Sequence, residues 1–186
     1  LVFAMLISIM LGMGMPTTAA YAVAASVVAP GLIQLGIDPL TAHFFVFYFA
    51  VVSAITPPVA LASFAAAGIS GANPMETSME SFKIGLAAFI VPFMFFYNGA
   101  LLMNDTWIAI AQALVPATVG VYLLSAAVQG WFVNHSASWL VRVMLIAAAL
   151  LMIEGSWVTD ILGICAAVLA FAVQKKRGNS AVVHPL

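Results

Sequence analysis

Apolar runs follow one another along almost the whole chain, continuous and without the period-two alternation of barrel strands. A water-soluble fold would have to wrap such runs in a polar shell, and the inventory holds none. Hydrophobic residues make up 65% of the chain, charged residues 6%, and the mean hydropathy is +1.18. A soluble domain carries about a quarter charged residues. The solvent is therefore lipid, where every backbone donor and acceptor must be satisfied within the protein, and without alternation that leaves helices. The expected fold is all-α, a polytopic membrane protein.

Short polar punctuation divides the chain. Leu1 to Leu11 is an apolar half-run stopped by Gly12 and Gly14. Pro16 to Leu35 is a second run, expected to bend near Pro30-Gly31 and closed by Gly36. Leu40 to Ala67 is long but interrupted at Thr56-Pro57-Pro58, and residues 82–103, 107–130, 138–153 and 157–174 follow. A straight span needs roughly 20 residues at 1.5 Å rise; the third, fourth and fifth segments meet that length and the first two do not. The resulting divisions are a re-entrant hairpin (1–35), a discontinuous transmembrane helix (36–70), a surface helix and a span (71–103), C-terminal transmembrane helices (104–174) and a polar, disordered tail (175–186). Within 71–103, Asn73-Pro74-Met75-Glu76 reads as a capped helix start. Met75, Met79 and Phe82 recur at helical spacing, which fits a short amphipathic surface helix or the capped start of the next span. Glu154-Gly155-Ser156 is the turn between the last two segments, which read as a thin helical pair or as one re-entrant element.

Charge sets the sides. If the first two segments enter and leave from one face, Lys83, Arg142, Lys175, Lys176 and Arg177 fall together on the other. Asp38, Asp105, Glu154 and Asp160 then share the face where the hairpin opens. The positive-inside rule makes the basic side, and the C-terminus, cytoplasmic. A single bent span in place of the hairpin would keep the same sorting downstream. Trp107, Trp131, Trp139 and Trp157 sit near span ends, where an aromatic belt belongs.

Several functions are excluded or disfavoured. Leu1 already lies in an apolar run with no charged n-region or cleavage site, so the start is not a signal peptide and the chain reads as a C-terminal piece of something longer. Cys165 stands alone among apolar residues and reads as a small core residue. His43, His135 and His184 are scattered, so no transition-metal site is expected. A net charge of −1 leaves no nucleic-acid footprint. A membrane enzyme would need a nucleophile with a base or a metal cluster; neither is present, so the chain is read as not an enzyme.

Two breaks carry the functional signal. At Gly12-Met13-Gly14 the chain can reverse, with Pro16 in the first turn of the next helix and Thr17 and Thr18 at its N-terminus. That terminus offers unpaired N–H groups and a partial positive charge to an anionic group, while glycine carbonyls can face a cation. At Pro57-Pro58 two missing N–H donors should free the carbonyls of Ser53 and Ala54, beside the Thr56 hydroxyl. Oxygens at a broken helix are how secondary transporters hold coupling ions, and two such breaks in adjacent elements point to a midplane site. The alternative is a channel or structural membrane subunit in which both breaks are packing kinks, with the small-residue faces as helix contacts. A tip at Gly14 far from Pro57 would exclude the transporter site.

The stretches Leu11-Gly-Met-Gly-Met-Pro-Thr-Thr-Ala-Ala-Tyr21, Ala29-Pro-Gly-Leu-Ile-Gln-Leu-Gly-Ile-Asp-Pro39 and Ala54-Ile-Thr-Pro-Pro-Val-Ala-Leu-Ala62 resemble the large membrane subunit of the tripartite ATP-independent periplasmic (TRAP) transporters, over roughly the first hundred residues. The further spans look like the fused permeases of that family, which work with binding proteins of the TAXI type. The resemblance implies the C-terminal part of an elevator-type secondary transporter in the bacterial or archaeal cytoplasmic (inner) membrane. It takes up small organic anions, carboxylates, by sodium symport from a periplasmic binding protein. On this mapping Gly12, Gly14, Thr17, Ser53, Ala54 and Thr56 are sodium-site candidates, and Thr17 and Thr18 border the substrate. Pro57 and Pro58 form the helix break, and no cofactor beyond the coupling ion is implied. The remaining permease chain and the lipid bilayer are the other expected partners.

Overall fold

The computed structural model describes residues 1–153 and 156–181, with side chains to Lys175. Two compact units emerge, Leu1–Phe96 and Tyr97–Leu186.

The first unit opens with helix α1 (Val2–Gly12), a short turn, and helix α2 (Thr17–Gln34), which packs against α1. Gly36, at φ +87°, ends α2 in a backbone conformation that only glycine adopts without penalty. Helix α3 (Pro39–Val52) follows at once because its start is well specified. The Asp38 carboxylate accepts the Thr41 N–H at 3.0 Å and the Thr41 hydroxyl at 3.3 Å, with Pro39 in the first turn. A 3-10 turn (Ser53–Ile55) closes α3; helix α4 (Leu61–Ser70) and helix α5 (Pro74–Gly85) come next. A second 3-10 turn (Leu86–Ile90) leads into helix α6 (Val91–Tyr97).

Helix α3 is the centre of this unit. Phe45 and Phe49 are fully buried and meet Phe93 edge-on, with ring centroids 5.5 and 6.0 Å apart. In lipid no hydrophobic gain drives helices together, so close packing of this kind carries the association.

The second unit holds a 3-10 turn (Gly99–Leu102), helix α7 (Trp107–Gln129), strands β1 (Trp131–Phe132) and β2 (His135–Ser136), helix α8 (Trp139–Ile153) and helix α9 (Trp157–Ala181). Helix α8 packs on both α7 and α9 through small residues. A Cβ on Gly120 would lie 3.3 Å from the Ala149 carbonyl oxygen, and one on Gly163 would overlap Met152 and stand 3.0 Å from the Ala148 carbonyl oxygen. The antiparallel β1–β2 pair turns through Val133 and Asn134, both at positive φ, as a two-residue hairpin of this hand requires. Long side chains satisfy the carbonyls around it. Arg142 donates from Nε to the Ala127 oxygen at 2.7 Å and from Nη2 to the Val128 oxygen at 3.0 Å. Gln174 Nε2 donates to the Phe132 and Ser136 oxygens at 3.3 and 3.2 Å. Trp107, Trp139 and Trp157 each begin a helix, and all three are exposed.

Among the described residues, four helices are long and apolar enough to cross a membrane: Thr17–Gln34, Pro74–Tyr97, Trp107–Gln129 and Trp157–Lys175. This all-α, multi-pass architecture agrees with the composition, but four local expectations need correction. The second run is long enough to span, because α2 continues through Pro30 to Gln34 as one helix. The third does not make a span-length helix, because the prolines divide it into α3, a 3-10 turn and α4. Residues 157–174 were expected to be short, yet they lie within a span-length helix. Asn73 Oδ1 accepts the Met75 and Glu76 N–H groups, as a capped start requires, and α5 runs to Gly85, parted from α6 by the 3-10 turn. The tail is not irregular from Lys175 onward. Helix α9 runs on to Ala181, since each added residue gains a backbone hydrogen bond once a helix exists, even through Gly178, Asn179 and Ser180. Glu154, Gly155 and residues 182–186, among them His184, lie outside the described residues.

Candidate functional site

The Gly12–Thr18 tip and the proline break meet. Gly12, the last residue of α1, lies against the end of α3. A Cβ added there would stand 2.5 Å from Ser53 Oγ and 3.0 Å from both Ser53 Cβ and the Ala50 carbonyl oxygen. Gly14, at φ +78°, turns the chain, and its Cβ would lie 3.6 Å from Val59 Cγ1, just past the two prolines. Only a residue without a side chain permits the first approach, and only glycine takes the second conformation freely.

The break itself is rich in oxygen. Ser53 is 1% exposed and Thr56 8%. The Ser53 hydroxyl donates to the Ala50 oxygen at 2.6 Å, and the Thr56 hydroxyl donates to the Val52 oxygen at 2.9 Å. Both protons are thus committed to the α3 backbone, while each hydroxyl oxygen keeps acceptor capacity. One expectation is corrected here. The Ser53 carbonyl is not freed, because the 3-10 turn lets it accept the Thr56 N–H at 3.1 Å. It still has a second lone pair. The Pro57–Pro58 bond is cis, with Pro57 half-buried and Pro58 exposed.

Across the tip, helix α2 begins one residue later than expected. Pro16 occupies the N-cap position rather than the first turn, and its side chain has no acceptor to offer. The first N–H groups of α2 therefore lack a side-chain cap, beside the exposed Thr17 and Thr18. An uncapped N-terminus carries about half a positive charge and favours an anionic group. Gly12 thus meets Ser53 and Gly14 comes near Val59, with Ala54 and Thr56 in the chain between those two partners. Thr17 and Thr18 stand at the exposed edge of the tip.

Two polar residues escaped the sequence reading. The hydroxyls of Ser8 on α1 and Ser63 on α4 are buried and have no hydrogen-bond partner among the described residues. Ser8 precedes Gly12 by four positions, so helical spacing puts it on the face that meets α3. That spacing was the available signal; for Ser63 there was none.

The tip and the break both lie inside the region recognised by comparison. Residues 1–110 match the family described as DctM, the DctM component of the tripartite ATP-independent periplasmic transporter. No curated protein matches the sequence significantly, and no solved structure does so. A match over more than half of the chain, covering the glycine tip, the proline break and the packed helices between them, identifies the protein as a member of the DctM family, the large permease component of tripartite ATP-independent periplasmic transporters.

Proposed function

We propose that this chain forms the part of a sodium-coupled permease that binds a small organic anion, a carboxylate handed over by a periplasmic binding protein of the TAXI type. The observation that carries the reading is the contact of Gly12 with Ser53 and of Gly14 with Val59, which puts the tip of α1–α2 on the broken end of α3. Gly12, Gly14, Ser53, Ala54 and Thr56 supply carbonyl and hydroxyl oxygens to the sodium ion, with Thr17 at its edge. Hard oxygen ligands of this type suit a small cation, and a broken helix supplies them without placing a carboxylate in the membrane. The uncapped start of α2, with Thr17 and Thr18, faces the substrate carboxylate. The α1–α2 pair acts as a re-entrant hairpin open to the outer face of the cytoplasmic (inner) membrane, and the C-terminus is cytoplasmic, in line with the sorting of basic and acidic residues.

Thr56 gives the test. In the purified full-length permease, Thr56→Val is expected to weaken binding of radioactive sodium about tenfold, equivalent to ~1.4 kcal/mol. Thr56→Ser keeps the hydroxyl and should bind nearly as the parent does. Equal sodium affinity in the valine variant would remove Thr56 from the site and favour the packing-kink alternative.

A further inference from the structure

Two span-length helices of the second unit begin beside one cavity. Helix α7 starts at Trp107 and α9 at Trp157, and a space of about 520 Å³ lies between the first turns of the two. Gln112 and Pro116 line it from α7, Trp157 and Asp160 from α9, and Asn98 and Asp105 from the chain that leads into α7. The rest of the lining is alanine, valine and isoleucine.

The charges on this wall have one sign. Asp105 and Asp160 are carboxylates, and none of the described lining residues is Lys, Arg or His. A carboxylate in the first turn of a helix is at home beside that helix's free N–H groups. Asp160 Oδ1, however, is closed off from solvent and has no hydrogen-bond partner among the described residues. Asp105 Oδ1 accepts the Thr106 N–H at 2.7 Å, which leaves the other oxygen of that group available. Pro116 has no N–H for the Gln112 carbonyl four residues before it, so one more oxygen is short of its helical donor. The cavity is rich in acceptors and short of donors.

We propose that it holds the primary ammonium headgroup of a membrane phospholipid, an ethanolamine lipid, with the Asp105 and Asp160 carboxylates as counter-charges. An ammonium brings positive charge and three N–H donors to oxygens that lack them. The exposed indole of Trp157 adds an aromatic face, which attracts cations. Position favours a lipid over a soluble amine. The cavity sits where two spans start, at the interfacial depth at which tryptophans and headgroups gather. Its apolar side reaches Ile161 and Ile164, both exposed, against which an acyl chain can lie. The lipid phosphate meets the partial positive charge of two helix N-termini. A bare metal ion would leave most of 520 Å³ unfilled, and a choline headgroup has no N–H to give.

Asp160 and Trp157 lie beyond residues 1–110, and the inference stands independently of the sodium and carboxylate site. Native mass spectrometry of the purified full-length permease tests it, with ethanolamine, choline and glycerol phospholipids of identical acyl chains added singly. The parent should retain one more ethanolamine lipid than choline lipid, at about tenfold higher affinity, the effect of a hydrogen bond to a charged group. Asp105→Asn combined with Asp160→Asn keeps the shape and removes both charges. This variant should lose that one lipid while holding as many glycerol lipids as the parent. Ala109→Leu leaves both carboxylates and fills the space from α7, and should lose the same lipid. Free ethanolamine at equal concentration should not displace it. Equal retention of ethanolamine and choline lipids by the parent, an extra ethanolamine lipid kept by either variant, or displacement by free ethanolamine overturns the proposal.

Discussion

Gly12→Ala should abolish sodium binding and destabilise the first unit, although alanine favours a helix over glycine by about 1 kcal/mol. The new methyl meets Ser53 Oγ at 2.5 Å and the Ala50 carbonyl oxygen at 3.0 Å. The serine cannot swing aside freely, because its hydroxyl is bonded to that same carbonyl. Helix α1 must move off the end of α3, and overpacking of this kind costs about 1–3 kcal/mol. The decisive readouts are sodium binding and thermal unfolding of the purified permease. Gly31→Ala and Gly68→Ala are the controls, since a Cβ at either meets nothing within 4 Å. Both should match or exceed the parent in stability. Ser53→Gly placed in the Gly12→Ala background removes the clashing side chain but not the Ala50 carbonyl contact, and should recover part of the stability without recovering the Ser53 oxygen. If Gly12→Ala binds sodium normally, the approach of α1 to α3 does not matter for the ion.

A comparable effect is expected in the second unit from Arg142→Met. The Arg142 guanidinium holds two carbonyls near the end of α7, those of Ala127 and Val128, from across the α7–α8 connection. Methionine preserves much of the apolar stem and removes both donors. Hydrogen bonds to a charged group contribute about 1.5–3 kcal/mol each, and the orphaned carbonyls add their own desolvation cost. A loss of about 3 kcal/mol or more is expected, read as a lower thermal midpoint and faster amide exchange around Gly130. Arg142→Lys should recover only part of this, because an ammonium cannot reproduce the planar fork. The parent's stability in the methionine variant would show that lipid or water already satisfies these carbonyls.

What could be read from the sequence follows from the range of each interaction. Gly12, Gly14, Pro57 and Pro58 act on their own backbone, so the tip and the break were visible as interruptions in apolar text. Asn73 was readable for the same reason, since a cap is settled within three residues. The carbonyl of Ser53 was misjudged because counting lost i→i−4 bonds ignores the 3-10 bond that replaces one of them. The β1–β2 hairpin was missed because its turn uses Val133-Asn134 rather than the usual Asn-Gly pair. The partners of Arg142 and Gln174 lie up to 42 residues away, and Tyr21 and His43 are separated by 22. No local pattern encodes pairings of that length; they exist only once the helices are placed. The meeting of Gly12 with Ser53 belongs to this class too, although both partners had been marked independently.

The position of Gln174 also has a bearing on how the chain is made. The carbonyls of Phe132 and Ser136 leave the ribosome well before the glutamine that will satisfy them, with all of α8 and most of α9 still to be synthesised. At the edge of the bilayer, water can hold both carbonyls until that helix is made. The last helix then arrives as the piece that completes its neighbours, and truncation before Gln174 should leave the β1–β2 turn more open to amide exchange.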